Sequence, residues 1–593
     1  MNKVTDVYTC KDGLSNENIL DILEDRHGNI WVGTLNGLNR LKQDRFGRIV
    51  FEKLLKDHVI SRLFEDRENN LWIGTGESGI KRLKDSKFIT PAAPGKNQGE
   101  IMYAIFEDRR GDTWIGSNGG RLYRYRKGKL IESLKVHGKS NINIIAFEED
   151  SKGNLWLGTC DNGVFQRKGQ TNTFINFTTR DGLADNCVHS IFQDSKHNLW
   201  FSTEDGVSRY RSGVFASLKT KDGLLGKIVT NTYEDKNHRI WILNSKGINL
   251  LKDGNGKFTA NNMSKHLKGI PVNSIYEEDT PANTKKEGNV IWFGTFAGLI
   301  RFKDGSFICY NEADGLTSNY IFRVFEDDWD NLWMSSNSGV LRVSKDQLNR
   351  VEQRKIHQVH CTTFGVPDGM ISIQFYNIYS RNSAIKNREG ELWFVTKKGI
   401  TMVHPGKVQI NRTPPPVIIE DVLFNGRDRY AYNSLHLETK VFKGVKDIGF
   451  HFTAPTFISP AKIKFRYKLE GYDKDWAFLT PGASRTALYE DLAPGTYTFR
   501  VTACSSDGIW NNTGASMGFT LKPCFQNSTF FKLLLLVGGL ALVSAAVFLF
   551  KKFPLARNGK AKYKNLHLSP AYVKECIKKL DYLMEIEKVY RDE

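Results

Sequence analysis

Over its first two thirds the chain alternates short apolar runs with polar turns. That period suits strands rather than helices. One unit can be followed from residue 18. NILDIL leads into the acidic pair Glu24-Asp25, and a turn then gives way to the apolar stretch IWVGT. A Gly turn at Asn36-Gly37, the alternating LNRL and the run GRIVFEKL complete it. The pattern predicts four short strands joined by tight turns.

The unit recurs. Residues 24–34 read EDRHGNIWVGT, 65–75 EDRENNLWIGT, 107–117 EDRRGDTWIGS and 149–159 EDSKGNLWLGT. Weaker copies stand at 193–203, 234–244, 290–295, 326–336 and 388–396. Their tryptophans are Trp31, Trp72, Trp114, Trp156, Trp200, Trp241, Trp292, Trp333 and Trp393, spaced 41, 42, 42, 44, 41, 51, 41 and 60 apart. An insertion at about 280–289 accounts for the spacing of 51. A four-stranded unit at this period predicts propeller blades. Asp stands six residues before Trp in seven of the nine copies, from Asp25 to Asp327. A ring of aspartates invites a metal reading. The plainer reading is that each Asp bonds its own turn and each Trp fills its own gap between blades. No metal and no cofactor is expected.

A second element, DGLS at 12–15, DGLA at 181–184, DGLL at 222–225, DGLT at 314–317 and DGMI at 368–371, precedes a new first strand each time. Together with the ED–Gly–LWIGT–GL pattern it resembles the two-component regulator propeller repeat over residues 1 to about 405. That resemblance implies the extracytoplasmic sensor of a bacterial membrane regulator. After TPPPVIIEDVLFNGR at 413–427 come about five strand-like segments in roughly 110 residues, fitting an immunoglobulin-like sandwich. Tyr467, Tyr472, Trp476, Tyr489, Leu492, Pro494-Gly495-x-Tyr497 and Asp507-Gly508-x-Trp510 resemble the three-tyrosine (Y_Y_Y) domain, with the aromatics expected in core or interface.

Residues 533–550, LLLLVGGLALVSAAVFLF, carry no charge and with Phe530 and Phe531 are long enough to span a bilayer as a helix. Six Lys or Arg lie between Lys551 and Lys564, against Lys522 and Lys532 on the other side. The positive-inside rule places the C-terminus in the cytoplasm and the propeller outside. MNKVTDVYTCKDGLSNENIL is polar and begins within a blade, so a longer natural chain, starting with an export signal and further blades, is expected. Ser569, Pro570 and the stripe Val573, Ile577, Leu580, Met584 predict a cytoplasmic helix. It resembles the helix before an AraC-type DNA-binding domain; a generic juxtamembrane helix is the alternative.

The expected architecture is thus all-β. Two propeller blades (1–88) precede a seven-bladed propeller (89–410) and an Ig-like three-tyrosine domain (411–524). A transmembrane helix (530–550) and a cytoplasmic juxtamembrane helix (551–593) follow. The formal charge of +19, from 84 basic and 65 acidic residues, changes little. It is spread along the chain without a long basic run, so no nucleic-acid binding is expected. The cysteines Cys10, Cys160, Cys187, Cys309, Cys361, Cys504, Cys524 and Cys576 never lie within four residues of each other. That excludes CxxC knuckles and a dense disulfide framework and predicts scattered buried thiols.

Propellers bind at the axis, on the face built from loops entering each innermost strand. Asn16, Asn18, Asp185, Asn186, His189, Lys227, Asn319, Tyr320, Gln374 and Asn377 are the candidate ligand residues there. Amides, a few charges and aromatics suit a small-molecule or oligosaccharide ligand; capping of turns by the same Asn residues is the competing role. The implied function is carbohydrate sensing by a homodimeric inner-membrane protein whose output domain lies outside this chain. The alternatives are a propeller lyase or glycosidase and a passive surface scaffold. No kinase or hydrolase motif is found.

Overall fold

The computed structural model describes residues 6–43, 48–91, 100–136, 142–169, 171–252, 259–262, 267, 269–278, 290–376, 379–408, 411–425, 428–431, 441–479, 484–522 and 529–552. The insertion at 280–289, Asn377 and the helix expected in 551–593 lie outside these residues. The chain parts into two compact units. The first comprises Met1–Lys440, Asp447–Leu492 and Thr496–Phe519, and holds the blades and the body of a sandwich. The second comprises Val441–Lys446, Ala493–Gly495 and Thr520–Glu593; in it Val441–Lys443 pairs in parallel with residues 520–522.

Seven sheets form a closed ring: blade 1 (102–135), blade 2 (143–177), blade 3 (188–218), blade 4 (229–262), blade 5 (272–310), blade 6 (321–364) and blade 7 (384–403). Blade 7 supplies three strands of its own. In place of a fourth, a single bridge from the chain before blade 1 closes it, Ile89 and Met402 exchanging both backbone hydrogen bonds at 2.9 and 2.8 Å. Last blade meets first through Met102, Ile105 and Ile115 packed on Val395 and Ile400. Two further blades, 19–54 and 60–83, form a separate arc. Their innermost strands are open: Ile22 and Phe64 are each 62% exposed, whereas Ile105 and Ile191, at the register position of Ile22, are fully buried. The all-β propeller architecture expected from the repeat is what the chain adopts.

The blade motif acts as a clip. Asp25, Asp66, Asp108, Asp150, Asp194, Asp235 and Asp327 each accept the indole N–H of their Trp at 2.7–2.9 Å. The other carboxylate oxygen closes the turn; in Asp150 it accepts the N–H of Lys152 and Asn154, both at 2.9 Å. The degenerate copies substitute Glu278 on Trp292 (2.6 Å) and Glu391 on Trp393 (3.1 Å). A buried indole N–H needs a partner, and this one also fixes the turn.

The glycine two residues after Trp has a different cause. A Cβ on Gly158 would lie 2.8 Å from Ala146 Cβ and 2.9 Å from the Val188 carbonyl oxygen; on Gly116 it would lie 2.7 Å from Ile144 Cγ2. The next blade's innermost strand therefore rests directly on this backbone. Gly158→Ala is expected to cost about 1–3 kcal/mol by overpacking, read by thermal unfolding, because the backbone oxygen it meets cannot rotate away.

The DGL element is a cap. Asp12, Asp181, Asp222, Asp314 and Asp368 end short 3₁₀ turns and accept the N-cap N–H at 2.7–3.0 Å. The glycine that follows takes φ of 99–110°, as in Gly315 and Gly13, a region open to Gly without strain. Leu14, Leu183, Leu224, Leu316 and Met370 then plug the core.

The sandwich sets Asp428–Ala431, Ile418–Phe424, Ile448–Thr453 and Thr486–Tyr489 in one sheet, and Ala477–Phe478, Lys464–Glu470, Gly495–Cys504 and Ala515–Lys522 in another. Phe450 stacks on Phe499 with ring centroids 4.0 Å apart, and the Tyr489 hydroxyl donates to Asp473 at 2.8 Å. Arg466 lies between Trp476 (4.8 Å) and Trp510 (4.6 Å). Two α-helices complete the described chain: α1 (Lys345–Glu352) and α2 (Thr529–Lys552). Taken over the described side chains alone, no helix is long and apolar enough to cross a membrane.

Candidate functional site

Each innermost strand of blades 1 to 6 has a bulge at the same place. Pairing slips between Met102/Ala104, Ile144/Ala146, Val188/Ser190, Val229/Asn231, Val272/Ser274 and Ile321/Arg323. A bulge re-aims the extra side chain. The residues so placed are Tyr103, Ile145, His189, Thr230, Asn273 and Phe322.

Three of them meet aromatic partners at the mouth of the ring. The Tyr103 and Tyr376 rings lie 5.3 Å apart, and Lys397 Nζ stands 5.6 Å from the Tyr376 ring. His189 meets Tyr379 edge-on at 5.9 Å. Phe296 links Tyr379 (6.3 Å), Tyr320 (5.6 Å) and Phe322 (6.4 Å), and Phe322 continues to Phe375 (6.2 Å). Below them the segment 380–383 reaches blade 2. The Ser380 hydroxyl donates to the Ile145 carbonyl (2.6 Å), and Asn382 Oδ1 accepts from Phe147 N–H (2.9 Å).

The electrostatics follow from burial. His189, 5% exposed, holds Nε2 3.0 Å from Glu204, and this hydrogen bond keeps the Glu204 carboxyl below its ordinary range. Burial raises the Tyr103 hydroxyl. Arg323, 7% exposed, is pushed down to about 9 by burial and by the like charge of Arg381. Among the described residues its Nε and Nη1 have no hydrogen-bond partner; its guanidinium lies 5.5 Å from the Phe325 ring. Arg381 reaches Glu148 at 3.6 Å. Burial nevertheless pushes Glu148 up to about 7 from 4.5. A carboxyl raised in the native state holds a proton that the unfolded chain has lost. Its contribution to stability is therefore complete below pH 4.5 and is lost as pH rises to about 7. His360, pushed down to about 4 by burial, acts in the opposite sense. The expected result is that Glu148→Gln, measured against the parent chain by denaturant unfolding between pH 4.5 and 7, removes this fall.

The ten sequence-derived candidates divide. His189 and Tyr320 belong to the aromatic mouth, and Tyr320 is 48% exposed. Asn186 and Asn319 accept the N–H of Thr179 (3.0 Å) and Glu312 (2.9 Å), so their side-chain oxygens pin the DGL turns. Asp185 closes a turn on Cys187 N–H (2.8 Å). Lys227 lies 3.8 Å from Asp205, and Gln374 accepts Lys397 N–H through its carbonyl. Asn16, an acceptor for Asn18 N–H at 2.8 Å, and Asn18 stand in the separate arc. Asn377 lies outside the described residues.

Sequence reading missed Tyr103, Phe296, Phe322, Phe375, Tyr376 and Tyr379. A usable signal existed for two of them: Tyr103 and Phe322, like His189, stand eleven residues before a blade tryptophan. The expectation of scattered thiols needs correction too. Cys160 and Cys187 bring their sulfurs to 3.2 Å; sequence distance hid this, because adjacent blades meet there. Cys187, His189 and Glu204 also place one ligand atom each within 4.8 Å of one another, a group with the donors for a cation.

The "two component regulator propeller" family model matches residues 13–36, 54–77, 138–161 and 182–205, and the Y_Y_Y domain model matches 456–522. Histidine kinase P4 of Formosa agariphila is 24% identical over 414 residues, 67% of this chain and 26% of that protein. The chain thus spans about a quarter of that relative's length. A solved structure described as the extracellular domain of a hybrid two component system from B. thetaiotaomicron gives a TM-score of 0.61 at 20% identity, over 86% of this chain and 73% of that one. Another from the same organism, described as the extracellular domain of a one component system, gives 0.42 at 21% identity, over 85% and 68%. The chain therefore carries two component regulator propeller repeats followed by a Y_Y_Y domain.

Proposed function

We propose that this chain is the ligand-sensing part of a membrane-bound signal-transduction regulator. Its propeller and sandwich lie outside the inner membrane, α2 is the anchor, the C-terminal end is cytoplasmic and the working form is a homodimer. The observation that carries the reading is the aromatic mouth. Rings drawn from blades 1, 3, 5 and 6 and from Phe375, Tyr376 and Tyr379 gather at one mouth, with Glu204 and Lys397 beside them. Such faces stack on apolar faces of sugar rings while charges and amides bond hydroxyls, so a carbohydrate is the proposed ligand.

Support for transmission comes from polar locks between ring and sandwich. Lys462 donates to Asp368 and to the Thr363 carbonyl, both at 2.7 Å, and Lys87 donates to Asp507 at 3.0 Å. Asp368 belongs to the last DGL-type loop, five residues from Ile373 and eight from Tyr376. The kinase relative and the extracellular fold match agree with this reading. The anchor is supported by 18 uncharged residues, 533–550. Leu536, Leu540 and Val543 stand exposed on α2, whose 24 residues rise about 36 Å at 1.5 Å each.

The test is calorimetric titration of the chain with neutral and acidic oligosaccharides. Tyr320→Ala is expected to weaken binding about tenfold, the loss of one stacking contact of roughly 1.4 kcal/mol, with the melting temperature unchanged because Tyr320 is half exposed. Absence of binding across the panel, or turnover of the glycan, would overturn the sensor reading; turnover would favour the enzyme.

A further inference from the structure

We propose that Cys160 and Cys187 are a disulfide-forming pair, closing a covalent staple across the seam between blades 2 and 3 wherever their thiols meet a disulfide oxidant. That the staple forms in the cell rests on the exported location proposed above, since oxidising compartments hold such bonds. The two sulfurs stand 3.2 Å apart. A disulfide needs about 2.05 Å, within reach of small side-chain rotations.

Both backbones are already held. Cys160 ends the strand Leu155–Cys160, and Cys187 directly precedes Val188–Gln193. Gly163 N–H donates to the Asn186 carbonyl across the seam at 2.8 Å. Cys187 N–H is held by Asp185 (2.8 Å), and the Cys187 carbonyl accepts from Glu204 N–H (3.2 Å). The bond would close a loop spanning 27 positions and tie down the segment two residues before His189, one wall of the mouth.

A zinc-type cation is the rival occupant. Its three well-placed ligand atoms, on Cys187, His189 and Glu204, do not include Cys160. His189 Nε2 and Glu204 Oε1 are already engaged with one another at 3.0 Å. Two thiolates sharing a tetrahedral zinc, with bonds of about 2.3 Å, stand roughly 3.8 Å apart, wider than the pair found here. The sulfur–sulfur approach favours the direct bond.

The exchange balances without other groups. The Cys160 thiol is the more exposed of the two, so it meets the oxidant first. It attacks the oxidant's disulfide, forming a mixed disulfide and releasing one oxidant thiolate. Cys187, on losing its proton, attacks the Cys160 sulfur and expels the second. Two protons and two electrons leave the pair, and the oxidant departs as two thiols.

The test begins with the full chain made in a reducing cytosol. It is treated with oxidised glutathione, alkylated on denaturation without reductant, and digested for mass spectrometry. The expected result is loss of alkylation at both Cys160 and Cys187 with a linked peptide pair lighter by two hydrogens. Cys160→Ser and Cys187→Ser should lower the melting temperature equally, the double variant no further, and reduction should bring the parent to the same value. Alkylation of both thiols after oxidation, or free thiols with one equivalent of bound zinc, overturns the proposal. The same alkylation on chain recovered from cells tests export separately: a pair that oxidises in vitro but is reduced in the cell sinks the exported location and leaves the staple standing.

Discussion

Trp241→Ala is expected to cost about 3–5 kcal/mol from the cavity alone. Trp241 is fully buried, between Leu243, Ile248 and Val272 of its own seam and the rings of Phe293 and Phe302 at 5.7 and 5.3 Å. Those walls belong to two hydrogen-bonded sheets locked in a ring, so they cannot collapse into the space. A second cost arises at Asp235, whose side chain is fully buried and loses the indole donor at 2.7 Å. Arg239 at 2.6 Å remains, which holds that cost to about 1–2 kcal/mol. Trp241→Phe separates the two: it keeps most of the volume and loses the hydrogen bond, so it should cost far less than Ala. Denaturant unfolding followed by circular dichroism measures both. A total under about 1 kcal/mol for Ala, the range of an ordinary substitution, would show that the blade seam is looser than it looks.

The second large effect is expected at the joint between ring and sandwich. Asp507 has a side chain 1% exposed; it accepts Lys87 Nζ at 3.0 and 3.3 Å and the Asn411 N–H at 2.9 Å. Lys87 adjoins the segment that closes blade 7 and lies 5.4 Å from the Phe364 ring. Asp507→Ala leaves a largely buried ammonium and a backbone N–H unpaired, and breaking a buried pair from one side costs about 3–5 kcal/mol. Lys87→Met keeps the methylene packing but leaves the Asp507 carboxylate, 1% exposed, with the Asn411 N–H alone among the described residues, so a comparable cost is expected. The sandwich should then melt as a separate transition, and calorimetry should show two peaks where the parent shows one. If the proposed function holds, ligand binding at the mouth survives while the signal does not reach α2. A single unshifted transition in Asp507→Ala would exclude the joint as a coupling element.

Much of the blade was legible because its determinants are local. The Asp, the turn glycine and the Trp of EDRRGDTWIGS fall within one hairpin, so their spacing survives in the sequence and gives the turn to Asp and the gap to Trp; that Asp108 also accepts the Trp114 indole N–H was added by the structure. The DGL element is equally local: cap, left-handed glycine and buried leucine are consecutive residues. The glycine after Trp was visible only as a repeat, since its cause lies in the neighbouring blade, at Val188 for Gly158.

The aromatic mouth was legible in part. His189 and Tyr320, two of the candidates placed at the axis, lie in it because loops before innermost strands face the axis in any propeller. Asn186 and Asn319 carry the same composition signal but are consumed by turns, a distinction that depends on which way a side-chain amide points. Phe296 stood in the turn of another hairpin, and Tyr376 and Tyr379 in a stretch without repeat character.

By itself the sequence determined the all-β repeat, its turns and the tryptophan in each blade, because these arise within about 40 residues of chain through hydrogen bonds that the local spacing dictates; the strands of the sandwich were legible from their alternation. Only the tertiary structure decided that Ile89 closes the ring on Met402, that rings from four blades share one mouth, and that Cys160 meets Cys187. Those contacts join residues whose distance along the chain carries no signal; they exist because seven seams must pack at once, and packing across a seam is set by the shape of the neighbouring blade.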